Sequence, residues 1–226
     1  MTTAPETTRL NKYIAHHSGI SRREADNLIT AGRVQVDDTT AALGTQVARN
    51  ATVMVDGKPL SQAHDYTYLA LHKPAGYVCS RKRQGDTPTI YELLPADLRK
   101  LKPVGRLDKD SSGLILLTDD GDFAHRMTHP SFRKTKVYQV TLDTPLQPLH
   151  HQMISDTGIS LEDGISKFTV STLEHPKYEI IMSEGRNRQI RRTFQALGYT
   201  VTKLHRQSFG SYQIESLKKG NYKTVS

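Results

Sequence analysis

Few segments of this 226-residue chain carry residue types that could do chemistry. The first is Gly105-Arg-Leu-Asp-Lys-Asp110, running on to Ser111-Ser-Gly113. Asp108 lies between turn residues and a hydrophobic stretch, a setting in which loop carboxylates often serve function. The same spacing also suits a turn aspartate that only accepts backbone hydrogen bonds. The second is Glu184-Gly-Arg-Asn-Arg-Gln-Ile-Arg-Arg192. Ile190, Phe194 and Leu197 recur at helical spacing and predict a buried stripe, with Arg191 at its border. Arg188 and Arg192 are four apart on the solvent face, where their charges repel unless an anion lies between them. Two readings stay open there: a solvated basic face, or a phosphate-gripping helix with one inward arginine that could pair with a carboxylate.

Other candidates are weaker. Residues 108–119 have the outline of a calcium loop, but an EF-hand needs a helix on each side. Pro103 and Gly105 oppose one upstream, Leu114–Thr118 reads as a strand, and Gly121 is expected to break any helix after it. His16/His17 and His150/His151 are sequence neighbours, so their side chains diverge. The one cysteine, Cys79, reads as a small semi-buried residue. No glycine-rich phosphate loop is present, so a nucleotide cofactor has no support.

These groups need elements to hold them. Leu10, Ile14 and His17 share a helical face that stops at Gly19. Ser21-Arg-Arg-Glu24 is a capping box, opening a helix with Ala25, Leu28 and Ile29 inward. Val34/Val36 and Val53/Val55 alternate as short strands, and Asp56-Gly57 signals a hairpin turn. Ser61–Asp65 is the best linker. Strand-like patches come next at 68–72, 114–118, 137–142, 168–173 and 178–182, with a helix at 188–197. Clustered strands with helices between them, and no regular βαβ alternation, predict an α+β fold with a mixed sheet.

The 31 Lys and Arg against 23 Asp and Glu give a formal +8, which suggests an anionic partner. Residues 1–65 hold 7 of each sign, so the excess belongs entirely to residues 66–226. No apolar run is long enough to span a membrane, and the polar N-terminus lacks a secretory signal. A single thiol fits a reducing, cytoplasmic setting.

Gly105–Thr118 closely resembles the catalytic motif of pseudouridine synthases, and more narrowly of the bacterial small-subunit (RsuA-type) ribosomal RNA family. Leu71-His-Lys-Pro-Ala-Gly76, Lys136-Val-Tyr-Gln-Val140 and Glu184–Arg192 with Lys203-Leu-His-Arg206 and Phe209-Gly210 resemble that family's other motifs, in the right order. Residues 7–60 resemble the alpha-L RNA-binding module. The resemblance implies a small alpha-L domain at 7–60, a linker at 61–66 and a catalytic domain at 67–226 with a mixed central β-sheet and flanking helices. It implies that the chain isomerises a specific uridine of ribosomal RNA to pseudouridine, on a flipped-out base and without cofactor or metal.

By the same resemblance Asp108 is the essential carboxylate. Tyr138 stacks on the base and helps remove the C5 proton, Arg191 pairs with Asp108, and Leu204 packs beneath. Arg106, Lys73, Arg188 and Arg192 are the expected RNA contacts of the catalytic part; Lys12, Arg22, Arg23 and Arg33 are those of the small module. Arg81-Lys-Arg83, Arg99–Lys102 and Arg133–Lys136 would add phosphate contacts. The implied partner is ribosomal RNA, a ribosomal subunit or an assembly intermediate, met by a cytoplasmic monomer with no membrane attachment.

Overall fold

The computed structural model describes residues 7–60 and 64–225. The chain divides into two compact units between Tyr66 and Thr67.

In the first unit, β1 (Thr7–Arg9) runs straight into α1 (Leu10–Ser18). Leu10 and Ile14, one turn apart, are fully buried. The helix ends at Gly19 in the left-handed conformation (φ +70), whose N–H donates to the Ala15 carbonyl, a stop that favours glycine. Helix α2 (Arg22–Thr30) opens with the expected capping box: Ser21 Oγ accepts from Glu24 N at 3.2 Å, and Ser21 N donates to Glu24 Oε2 at 2.6 Å. The short strands β2 (Val34–Val36), β3 (Thr39–Thr40), β4 (Gln46–Ala48), β5 (Val53–Val55) and β6 (Lys58–Pro59) come next. They form an antiparallel sheet in the order β3-β2-β5-β6 and a separate β1-β4 pair. Val34, Val47 and Val53 join Leu10, Ile14, Ala25 and Ile29 in one small core. Asp56 and Gly57 both take positive φ, as the hairpin signal predicts. Asp37 and Asp38 do the same between β2 and β3, a hairpin without a glycine to announce it. His64 N donates to the His16 carbonyl and Tyr66 Oη meets His16 Nδ1, so 64–66 of the expected linker packs on α1. Residues 61–63 lie outside the described residues.

The second unit contains β7 (Tyr68–Lys73), β8 (Lys102–Pro103), β9 (Ser112–Thr118), α3 (Gly121–Thr128), β10 (Lys136–Leu142), α4 (Pro148–Asp156), β11 (Ile159–Leu161), β12 (Gly164–Ser166), β13 (Thr169–Glu174), β14 (Lys177–Met182), α5 (Gln189–Ala196), β15 (Val201–Phe209), β16 (Tyr212–Gln213) and β17 (Tyr222–Thr224). The main sheet runs β13-β14-β10-β15-β9-β7-β17. β9 and β15 pair in parallel and the other neighbours are antiparallel, so the sheet is mixed and the fold is α+β. Leu69, Leu71, Ile115 and Leu117 face one core with Val140, Ile180 and Phe194. Ala70, Leu114 and Leu116 face a second with Met127 and Phe209. Burial on both faces explains why β9 reads as a continuous apolar run.

Several elements, among them α4 and β17, were not expected, and two further departures have a plain cause. Gly121 does not break the chain; it begins α3, because Asp120 Oδ1 accepts from the N–H groups of Asp122 and Phe123 at 2.9 Å each. At the first helical turn a capping carboxylate outweighs glycine's low propensity. Strand β15, nine residues long, was not foreseen. Its pairing with β10 shifts register twice, between Val137/Tyr138 and between Thr141/Leu142. That breaks the two-residue alternation by which strands are read.

Candidate active site

β7 and β9 are antiparallel neighbours with Lys73 opposite Gly113. The chain leaving β7 therefore lies beside the chain entering β9. Gly76 N donates to the Lys109 carbonyl at 2.7 Å, joining the Lys73–Gly76 turn to the Asp108 turn. Beneath both sits Lys73, with 0% exposure. Its ammonium donates to the carbonyls of Ser111 (2.6 Å), Asp108 (3.0 Å) and Pro74 (3.1 Å). Burial pulls its pKa from the ordinary lysine range to about 8. Lys73 was expected to contact RNA; a fully buried ammonium with three carbonyl acceptors cannot reach a phosphate, and it instead fastens the turn.

Asp108 opens onto a cleft of about 140 Å³. Tyr138, Leu204, Met182 and Ile190 give it apolar walls, and Arg106, Arg186 and Arg188 line it as well. β15 lies between β9 and β10, which sets Leu204 between the Asp108 turn and Tyr138. The Tyr138 hydroxyl has no hydrogen-bond partner among the described residues, and the residue is 8% exposed. Ser111 also lines the cleft, and its buried Oγ has no partner among the described residues.

The arginines are distributed differently from the expectation. The ionic partner of Asp108 is Arg188, with Nη1 3.5 Å from Oδ2. Arg191 belongs to Asp110: its Nε lies 3.1 Å from Asp110 Oδ2, its Nη2 donates to the Asp110 carbonyl, and its Nη1 donates to the Val201 carbonyl. Arg188 also grips Asp110 through two 3.2 Å hydrogen bonds. Burial pushes the Asp110 carboxyl up, but the Arg188 hydrogen bond and the charges of Arg191 and Arg188 outweigh it and hold it below the ordinary range. The reason is geometric. Arg188 precedes α5 in the left-handed conformation (φ +45), so it leaves the solvent stripe assigned by helical spacing. Asp110 stands in the same motif, two residues from Asp108, and that offset is the signal in the sequence that points to it.

Arg192 is likewise not a free cation. Its Nη2 donates to Asp163 Oδ2 at 2.6 Å and its Nε to the Asn187 carbonyl. Arg188 and Arg192 therefore each already meet a carboxylate, Asp110 and Asp163, and no anion between them is needed. Arg186 also binds Asp163 and ties the β11–β12 hairpin to the cleft wall. The Arg106 side chain has no ion-pair or hydrogen-bond partner among the described residues. Cys79 Sγ donates to the Leu107 carbonyl, and burial pushes the thiol's pKa up, as suits a packing role.

Of the basic runs, Arg81 bonds the Lys100 and Leu101 carbonyls, Arg83 bonds Glu92, and Arg99 bonds the Leu94 carbonyl. In the first unit Arg22 and Arg23 are exposed at the start of α2, and Lys12 is half-buried on α1. Arg33 is closed onto Asp56 by two hydrogen bonds of 2.7 and 2.6 Å. Among the described residues no group of three or more His, Cys, Asp or Glu could hold a metal ion.

Comparison with known proteins identifies the family. Residues 67–196 match the RNA pseudouridylate synthase family, and residues 8–53 match the S4 domain. The chain is 36% identical to ribosomal small subunit pseudouridine synthase A of Pasteurella multocida, covering 96% of each. It is equally identical to that of Escherichia coli (strain K12), again over 96% of each. A crystal structure of a pseudouridylate synthase superposes with a TM-score of 0.69 at 33% identity, covering 96% of both chains. The chain belongs to the RNA pseudouridylate synthase family, with an S4 domain ahead of the synthase domain.

Proposed function

We propose that the chain isomerises one uridine of small-subunit ribosomal RNA to pseudouridine, with Asp108 as the essential carboxylate. The observation that carries this reading is the carboxylate of Asp108, one-third exposed, at the end of a slot walled by Tyr138, Met182, Ile190 and Leu204. The curated relatives named above bear the name of the small subunit. The reaction moves ribose C1′ from N1 to C5 of uracil; the C5 proton leaves and N1 ends protonated. Both faces of the base must be reached, so the uridine leaves its stack. Tyr138 stacks on the flipped ring, with its free hydroxyl available for the C5 proton. Leu204 packs against the base from beneath.

Arg188 and Arg191 set the electrostatics around Asp108 through Asp110. Arg106, free of internal partners, takes a phosphate. Lys12, Arg22 and Arg23 dock the S4 domain, with Arg22 and Arg23 beside a helix N-terminus that itself attracts phosphate. No step of this scheme calls for a cofactor. A cytoplasmic monomer is part of the same reading, with ribosomal RNA or an assembling subunit as its partner.

The test is tritium release from ribosomal RNA or ribosomal particles labelled at uridine C5. The wild type releases tritium and Asp108→Asn releases essentially none. Equal release by the two proteins would remove Asp108 from the mechanism. Tight, salt-sensitive RNA binding with no release from any substrate would favour a non-catalytic assembly protein instead.

A further inference from the structure

Between Asp122 and Asp143 the chain carries no carboxylate. The segment instead holds Arg126, Arg133, Lys134 and Lys136, two histidines and the aromatic residues Phe123, Phe132 and Tyr138. It runs from α3 through a 3-10 turn, Pro130–Phe132, into β10. Phe132 is 45% exposed, unusual for a phenylalanine. It does not stand alone. The His125 and His129 rings lie edge-on to it at 5.8 and 6.3 Å, and 4.7 Å from one another. The turn that presents it is fixed: His129 Nδ1 accepts from Ser131 N, and Arg133 N donates to the Pro130 carbonyl. Arg133 closes the turn in the left-handed conformation (φ +44, ψ +42), a cost for any residue with a Cβ. The side chains of Arg133 and Lys134 have no ion-pair or hydrogen-bond partner among the described residues, unlike Arg81, Arg83 and Arg99. Arg126 has only a 3.9 Å contact with Asp120.

We infer that His125, His129 and Phe132, with Arg133 and Lys134, form a second RNA subsite that stacks an unpaired base close in sequence to the target uridine. The inference rests on the reading of the chain as an RNA-modifying enzyme and adds a contact outside the cleft. An exposed ring supported by imidazoles offers a π-face to any base, and the two free cations beside it suit the flanking phosphates. A protein partner would call for a broader apolar patch than one ring set among cations. Phe132 is six residues from Tyr138, so their Cα atoms are at most about 22 Å apart. A base held at Phe132 therefore belongs to the same stretch of RNA as the base held at Tyr138.

The test is equilibrium binding of the full chain to protein-free ribosomal RNA, measured by fluorescence anisotropy, with tritium release measured in parallel. Phe132→Ala weakens binding by about 5-fold or more, and Phe132→Trp, which keeps a ring, stays within about 2-fold of wild type. Arg133→Ala weakens binding and lowers the salt slope by about one. Unchanged binding in Phe132→Ala overturns the inference. So does weakened binding to ribosomal particles alongside unchanged binding to protein-free RNA, which would assign the surface to a protein contact. A wild type that binds RNA through Phe132 yet releases no tritium supports the subsite and overturns the activity reading instead.

Discussion

Among the described residues Asp108 forms an ion pair with one arginine, Arg188 at 3.5 Å, whereas Asp110 pairs with two. Asp110 is thus the hub through which α5 is fastened to the turn that carries Asp108. Asp110→Asn keeps the shape and removes the charge that gathers Arg188 and Arg191. It is expected to lower kcat by about 10–100-fold with a smaller change in KM, measured by tritium release across substrate concentrations. Lys73 gives a second prediction. Its folded pKa of about 8 lies below the unfolded value near 10.5. Between those values the unfolded chain binds a proton that the folded chain has released, so this group's contribution to stability rises with pH across that window. Below pH 8 the buried charge exerts its full penalty. Urea midpoints of wild type and Lys73→Met, compared at pH 7 and pH 10, should shift in favour of wild type at the higher pH. A constant difference would show that Lys73 does not titrate in that range. At this scale the sequence named several residues that line the cleft but not their partners. Arg188 and Arg191 were both named, but which carboxylate each one meets depends on a left-handed residue ahead of α5, which helical spacing cannot anticipate.

Elements were legible where alternation and caps were intact. The five expected strands and the capping box of α2 rest on local rules, and the structure contains them. β15 was hidden because two register shifts scramble its pattern, and α3 because a glycine stood where Asp120 does the capping. The β9–β15 pairing also supplies a sharp test. Gly113 has φ +114, and a Cβ there would lie 2.2 Å from the Arg206 carbonyl oxygen. Backbone cannot yield as a side-chain tip can. Gly113→Ala is therefore expected to destabilise by at least about 3 kcal/mol, read from denaturant midpoints. Gly57→Ala, at a turn with open space around its Cβ, is expected to cost less. Equal losses at the two positions would mean that conformational strain, not the close approach of β15, governs Gly113.

Across the whole molecule the formal +8 belongs to the part beyond residue 65, and the unit boundary falls at nearly the same place. Many of those cations are spent on internal contacts, including Lys73, Arg81, Arg83, Arg99, Arg191 and Arg192. The cations free to contact phosphate are therefore fewer and more local than the composition suggests. Residues 67–226 alone are expected to keep most nonspecific RNA affinity and to lose selection of the target uridine. Mapping of modified positions together with binding to unrelated RNA checks this. A truncated chain that no longer binds any RNA would place the main phosphate contacts in the S4 domain. The fold class was readable because it rests on ordered motifs and composition, which tolerate local errors in strand assignment.

The parallel pairing of β9 with β15 also has a temporal side. His205 and Ser112 are adjacent in space and 93 residues apart along the chain. Closing so long a loop costs entropy that local contacts cannot repay, and such non-local pairings form late. Leu204, the floor of the cleft, arrives only with that closure. A chain emerging from the ribosome completes its S4 domain first, while the synthase cleft waits for nearly the last segment made. The S4 domain is thus folded before the synthase cleft is complete.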